Sequence, residues 1–255
     1  MLTVNPLSTG HDGTCRACQR GQFQICKNEA VNGVTMDGGF AEYVMLRSEA
    51  AVHLSADIDP AEAAPLMCAG VTVFNAMRKM HVEAGALVAV QGLGGLGHLA
   101  VQYASRMGYK VAALSHGSSK KDFAKQLGAH IYIDTTTQDP VKELQALGGA
   151  EMVVATAPDQ KAVSGLMHTL APCGKFVVLP PMGPVEFDTL FMVTQGISVC
   201  GWPSGHALDS EECVDFSQLH GVKCMIEKFP LSKANEAFEH MTAGKARFRA
   251  VLVME

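Results

Sequence analysis

From about Pro60 onward, short apolar runs alternate with stretches whose apolar residues recur every three or four positions. The runs Leu87–Gln91, Lys110–Leu114, Ile131–Ile133, Met152–Ala155, Lys175–Leu179 and Ser198–Gly201 predict strands. Between them, Leu96–Met107, Lys121–Leu127, Val141–Leu147, Ala162–Leu170 and Leu190–Gln195 predict helices, and another is expected over Glu211–His220. Short apolar strands separated by helices indicate a parallel sheet covered on both faces, and six of them suit a doubly wound α/β fold of the Rossmann type. The chain ends differ. Residues 1–55 are rich in Gly, Cys and polar residues and read as loops and short strands. Residues 222–255 read as strand, helix, strand, with Ser232 as the helix cap, Ala234, Ala237, Phe238 and Met241 on one helix face, and Gly244 as the stop. We therefore expect a dinucleotide-binding domain over 56–221 and a second lobe in which 222–255 returns to pack on 1–55.

The chain has 255 residues, is 48% hydrophobic and 18% charged, and carries a formal net charge of −5. That balance is ordinary for a globular protein and argues against a nucleic-acid-binding surface, which is normally basic. No apolar run approaches the ~20 residues that a membrane span needs. The first residues, MLTVNPLSTG, have no basic stretch ahead of an apolar one, so the cytoplasm is the expected location.

One segment brings specific chemistry. In VAVQGLGGLGHLAVQYASRMGYKVAALS, Gly92, Gly94 and Gly97 form G-x-G-x-x-G between a predicted strand and a predicted helix, with Gly95 and Leu96 inside the loop. Gly92 would permit a tight turn, Gly94 would let the backbone approach a pyrophosphate, and Gly97 would let helix and strand pack closely. The N–H groups that begin the helix would face the phosphates. At the end of the next strand, where an NAD site usually places Asp or Glu, stands Ser115, followed by His116, Gly117, Ser118, Ser119, Lys120 and Lys121. No carboxylate there repels a 2′-phosphate, and the lysines and hydroxyls could bind one, so NADP is expected over NAD.

Of eight cysteines, only Cys15, Cys18 and Cys26 cluster. Asp12 extends them to D-x2-C-x2-C-x7-C. Three thiolates and one carboxylate can close a tetrahedral shell around a structural zinc ion, with His11 as the other candidate for the fourth position.

The segments GHDGTCRACQRGQFQIC, NGVTMDGGFAEY, APLMCAGVTVFNAM, AVQGLGGLGHLA, GWPSGHALDSEE and GKARFRAVL together resemble the zinc-type medium-chain alcohol dehydrogenases, in the family's order and over nearly the whole chain. The resemblance implies an NAD(P)-dependent oxidoreductase acting on alcohols, aldehydes or ketones, with a mostly β, GroES-like second lobe. It puts Asp12 where the family usually has its first structural-zinc cysteine. It also puts Cys68 on the third catalytic-zinc ligand, Thr72 in the nicotinamide pocket, and Arg249 on a basic residue that contacts the cofactor phosphates. The family's other two catalytic-zinc ligands lie upstream of the structural lobe, and the ten residues before His11 match none of that segment. The second lobe is therefore expected to be truncated, with at most one zinc ion, at the structural site, and with activity impaired or altered. A non-redox enzyme performing a cyclisation or isomerisation, and a cofactor-binding pseudoenzyme, are the alternatives. A homodimer is expected through the edge strand Ser198–Gly201, as the family's sheet pairs there and a bare edge strand tends to find a partner.

Overall fold

The computed structural model describes the backbone of Leu2–Val4 and residues 10–254. In chain order it opens with β1 (Leu2–Val4), α1 (Arg16–Gln19), β2 (Ala51–His53), α2 (Pro60–Ala63) and α3 (Ala69–Lys79). The middle of the chain carries β3 (Leu87–Gln91), α4 (Gly97–Arg106), β4 (Lys110–Ser115), α5 (Lys121–Gln126), β5 (Ile131–Asp134), α6 (Pro140–Gln145), β6 (Ala150–Ala155), α7 (Gln160–Gly165), β7 (Leu170–Val178), α8 (Thr189–Gln195) and β8 (Ser198–Gly201). The end carries α9 (Ala207–His220), β9 (Ile226–Pro230), α10 (Ala234–Thr242) and β10 (Arg249–Val253). The chain forms two compact units, one of residues Met1–Asn75 with Pro203–Glu255, the other of Ala76–Trp202.

In the unit of Ala76–Trp202, six strands form one parallel sheet in the order β5-β4-β3-β6-β7-β8. β3 is central and buried along its length, which is why its sequence, LVAVQ, is an apolar run rather than an alternation. Leu87, Ala89, Leu114, Ile133, Val153 and Phe176 belong to one buried cluster of the sheet. Chain order reverses between β3 and β6, the switch point at which doubly wound sheets open a cleft beyond their carboxyl ends.

All six predicted strands form; several boundaries move by one or two residues, and the largest shift is at the start of β7. β7 begins at Leu170 rather than Lys175, because Ala150 pairs with Leu170 ahead of an irregularity that leaves Cys173 at φ +60°. The helix expected over Ala162–Leu170 is α7 followed by a 3₁₀ turn over Leu166–Thr169, so Leu170 is already strand.

In the other unit, β1 pairs antiparallel with β2, and β9 pairs parallel with β10 across α10. α3 was not among the predicted helices. Every residue from Ala69 to Met77 is buried, including Thr72 and Asn75, so no polar face marks its period. Asn75 donates from Nδ2 to the Ser204 carbonyl at 3.0 Å, and a Cβ on Gly205 would meet Val71 Cγ2 at 2.8 Å, so this turn closes directly onto the helix. Ser232 does not cap α10. It lies inside a 3₁₀ turn over Leu231–Lys233 that leads into the helix. Gly244 has φ +68° and its N–H bonds the Met241 carbonyl, which stops the helix as expected. Ala234, Ala237, Phe238 and Met241 all line one groove, and that groove also takes in Phe40 and Val44 from the first fifty residues. No described helix is long and apolar enough to cross a membrane.

Candidate functional site

A cleft of about 630 Å³ opens at the carboxyl ends of β3, β4 and β6, at the switch point. Gly92, Gly94, Ser115, His116 and Lys120 line it, whereas Lys121 is exposed at the start of α5 and does not. The three glycines serve three different purposes. Gly92 turns the chain out of β3 at φ +91°. Gly97 opens α4 so tightly against the loop that a Cβ there would overlap the Gly92 carbonyl oxygen and come within 2.9 Å of Thr156 Oγ1. A Cβ on Gly94 would meet no protein atom within 4 Å, so its absence leaves open space beside the cleft rather than room for a neighbour. Gly95 and Leu96 carry the loop into the first turn of α4. This is the cradle a dinucleotide's pyrophosphate requires: backbone that can be approached, at the N-terminus of a ten-residue helix.

The switch point is pinned by side chains that the sequence reading passed over. Gln91 Oε1 accepts the N–H groups of Thr156 (3.1 Å) and Ala157 (3.0 Å), and Thr156 Oγ1 donates to the Gln91 carbonyl at 2.7 Å. These bonds tie the end of β3 to the end of β6. Asp139 and Asp159 also line the cleft, but each caps a helix, accepting from Val141 N at 2.9 Å and Ala162 N at 3.1 Å. Part of their charge is offset by the helix ends they cap. The Asp139–Pro140 pair was a legible cap signal, since Pro favours the first helical position. Lys120 Nζ reaches the Leu93 carbonyl at 3.5 Å, joining the segment after β4 to the glycine loop.

In the other unit, the sulfurs of Cys15, Cys18 and Cys26 all lie within 4.8 Å of one another, with Cys15 Sγ and Cys18 Sγ 3.5 Å apart. Zinc–sulfur bonds of about 2.3 Å in a tetrahedron place sulfurs roughly 3.8 Å apart, so the three residues fit a zinc ion. Asp12 Oδ1 lies 3.6 Å from Cys26 Sγ, while His11 stacks on Phe23 with ring centroids 3.9 Å apart. The Asp12 carboxylate accepts from Thr14 N (3.0 Å) and Asn28 Nδ2 (2.6 Å), and these bonds hold it well below the usual carboxylate range. The N–H groups of Cys18 and Lys27 pull the Cys15 thiol down to about 7, whereas burial pushes Cys18 up to about 11. The short helix α1 accounts for the C-x2-C spacing, since it brings positions three apart onto one side.

Cys68 and Thr72 sit at the start of α3, where Thr72 Oγ1 donates to the Cys68 carbonyl at 2.6 Å. Burial raises the Cys68 thiol, and the nearby Arg249 guanidinium opposes that rise. Arg249 acts in the same direction on Cys224, which burial pushes up to about 12. The buried Arg249 Nε has no hydrogen-bond partner among the described residues. Cys224 drew no attention in the sequence because it stands alone there. Among the described residues, the only group of three or more Cys, His, Asp or Glu side chains placed to share a metal ion is Cys15, Cys18 and Cys26. Among the described residues, Cys68 is not joined by the two further donors that a catalytic zinc requires.

A family model described as zinc-binding dehydrogenase matches residues 95–219, and one described as alcohol dehydrogenase GroES-like domain matches residues 2–56. Alcohol dehydrogenase patD of Penicillium expansum is 55% identical over 245 residues, covering 96% of this chain and 72% of that protein. Alcohol dehydrogenase notN of an Aspergillus species is 50% identical over 246 residues, covering 96% of this chain and 73% of that one. The crystal structure of the alcohol dehydrogenase from the archaeon Aeropyrum pernix superposes with a TM-score of 0.89 at 30% identity, covering 99% of this chain and 75% of that one.

Proposed function

Because the chain belongs to the zinc-type medium-chain alcohol dehydrogenase family, we propose that it is an NAD(P)-dependent oxidoreductase interconverting small alcohols with aldehydes or ketones. The observation that carries this reading is the cleft at the switch point, with Gly94 leaving its wall open beside the N-terminus of α4. A bound nicotinamide dinucleotide supplies the hydride donor or acceptor. The chain's own part is to bind and orient it: Gly92, Gly94, Gly95, Leu96 and Gly97 against the pyrophosphate, with Ser115 and Lys120 towards the adenosine ribose. Arg249 is assigned to the cofactor phosphates, and Cys68 and Thr72 to the reacting end. One zinc ion is assigned to Asp12, Cys15, Cys18 and Cys26 as a structural closure of residues 10–30. Titrating NADPH and NADH into the purified protein tests the reading, and failure of both to bind refutes it.

A second reading, a cofactor-binding protein without turnover, is favoured by the absence of Cys68 from any group of three or more metal donors among the described residues. Assaying a panel of alcohols and aldehydes separates the two, since only the dehydrogenase changes the oxidation state of the nicotinamide.

The cofactor preference follows from the end of β4. Ser115 stands where a carboxylate would repel a 2′-phosphate, and Lys120 lines the cleft. NADPH is therefore expected to bind more tightly than NADH. A charge-assisted hydrogen bond contributes about 1.5–3 kcal/mol, so Lys120→Ala should weaken NADPH about tenfold or more and leave NADH nearly unchanged. Calorimetry on both cofactors decides the matter, and tighter NADH binding by the unaltered protein would contradict it.

We further propose a homodimer through β8, the edge of the sheet. α8, which leads into β8, leaves Leu190 and Val193 72% and 82% exposed. An edge strand beside uncovered apolar residues is prone to pairing. Sedimentation is expected to show a dimer at micromolar concentration, and Leu190→Asp with Val193→Asp should shift it towards monomer. A compact monomer in the unaltered protein would rule this out.

A further inference from the structure

The turn after β4 is not held by its own residues. Gly117, at φ +73°, is gripped on both sides by the neighbouring strand β5. Its N–H donates to Asp134 Oδ1 at 2.9 Å, and its carbonyl accepts the phenol O–H of Tyr132. Thr135, the next residue of the same segment, donates from N to the Ser115 carbonyl at 3.0 Å, and its hydroxyl lies 3.2 Å from His116 Nδ1. Every residue from Ser115 to Gly117 thus has a partner on residues 132–135. Leu114, Ser115, His116 and Lys120 line the cleft at the end of β4, whereas Gly117 does not.

Asp134 has a further property. Its Oδ1 also accepts from Thr136 N at 3.0 Å and from the Thr136 hydroxyl at 2.6 Å, and Asp134 is not among the residues lining the cleft. The one carboxylate in register with Ser115 is thus turned away from the ribose site and used to hold backbone. We propose that Tyr132 and Asp134 are positioning residues that set the discrimination between NADPH and NADH, by holding the Ser115–Gly117 turn so that His116 and Lys120 face the 2′ position. This rests on the dinucleotide-binding reading above. The glycine loop that takes the pyrophosphate is anchored chiefly through Gln91 and Thr156, with only a long 3.5 Å contact from Lys120 to the Leu93 carbonyl on the side of the turn, so loosening the turn leaves most contacts common to both cofactors in place.

The test measures dissociation constants of NADPH and NADH for the unaltered protein and for Tyr132→Phe, Asp134→Ala and Asp134→Asn, with thermal unfolding of each. Tyr132→Phe and Asp134→Ala each remove a hydrogen bond to Gly117 and are expected to weaken NADPH about fivefold to tenfold, with NADH within about twofold. Asn keeps an acceptor for the Gly117 N–H, so Asp134→Asn should restore the NADPH preference. If Asp134 acted only as a nearby negative charge, Asp134→Asn would instead tighten NADPH, and that result overturns the proposal. So does an equal weakening of both cofactors that tracks a lower unfolding temperature, which marks a purely structural role. An unaltered protein that binds neither cofactor refutes the parent reading instead, and the proposal with it. A preference for NADPH that survives Tyr132→Phe and Asp134→Ala unchanged refutes the proposal alone.

Discussion

Cys18→Ser is expected to abolish zinc binding and to loosen the lobe around residues 10–30. The elements there are a four-residue helix and a 3₁₀ turn over Phe23–Ile25, too short to be stable by themselves. Cys18 and Cys26 are buried while every other residue of 11–30 is half-buried or exposed, so ligation of the three clustered sulfurs would replace a core. Metal binding to such a segment is coupled to its folding, and the sulfurs must be thiolates to bind. Elemental analysis should find one zinc ion per chain in the unaltered protein and none in Cys18→Ser. Limited proteolysis should then cut within residues 10–30 while sparing 76–202. Cys68→Ser should leave the zinc content unchanged. Two zinc ions in the unaltered protein, one of them lost in Cys68→Ser, would mean that further donors complete a second zinc site at Cys68.

Substitutions in the glycine loop are expected to separate folding from binding. Gly97→Ala places a methyl group on the Gly92 carbonyl, and neither atom belongs to a flexible side chain that can give way. Overpacking of this kind costs about 1–3 kcal/mol, so the unit of residues 76–202 should unfold earlier and lose cofactor binding. Gly94→Ala is expected to behave differently. Its new methyl meets no protein atom within 4 Å, so the unfolding temperature should hold while dinucleotide affinity falls, because the methyl takes up the space left for the pyrophosphate. Parallel unfolding and titration of both variants checks this. Full cofactor affinity in Gly94→Ala would place the phosphates elsewhere.

The sheet was legible because its signals are local and redundant. β3 is apolar along its whole length, the glycines follow it at once, and α4 follows them, so periodicity and motif agree at one place. The cysteine cluster was legible for a related reason: three of its members lie within twelve residues, and a turn of helix explains the closest pair. What stayed hidden depends on the third dimension. α3 is buried on all sides and shows no alternation to read. The early start of β7 depends on pairing across to Ala150, which no local pattern carries. Tyr132, Asp134 and Thr135 act on residues 115–117 through and beside strand pairing, at sequence distances of 15 to 20, and in sequence they resemble any strand end. Ser232 had the right residue type for a cap, but the 3₁₀ turn before α10 moved the helix start past it.

The measurement that bears most directly on the proposed activity follows the hydride itself. The protein is incubated with reduced NADP carrying deuterium at the transferable position of the nicotinamide ring and a panel of aldehydes and ketones. The alcohols formed are then analysed by mass spectrometry. The dehydrogenase reading predicts that at least one alcohol gains a single deuterium on its carbinol carbon, and that Gly97→Ala abolishes the transfer. Saturable binding of the labelled cofactor with no deuterium in any alcohol would contradict it and leave a dinucleotide-binding protein that does not turn over.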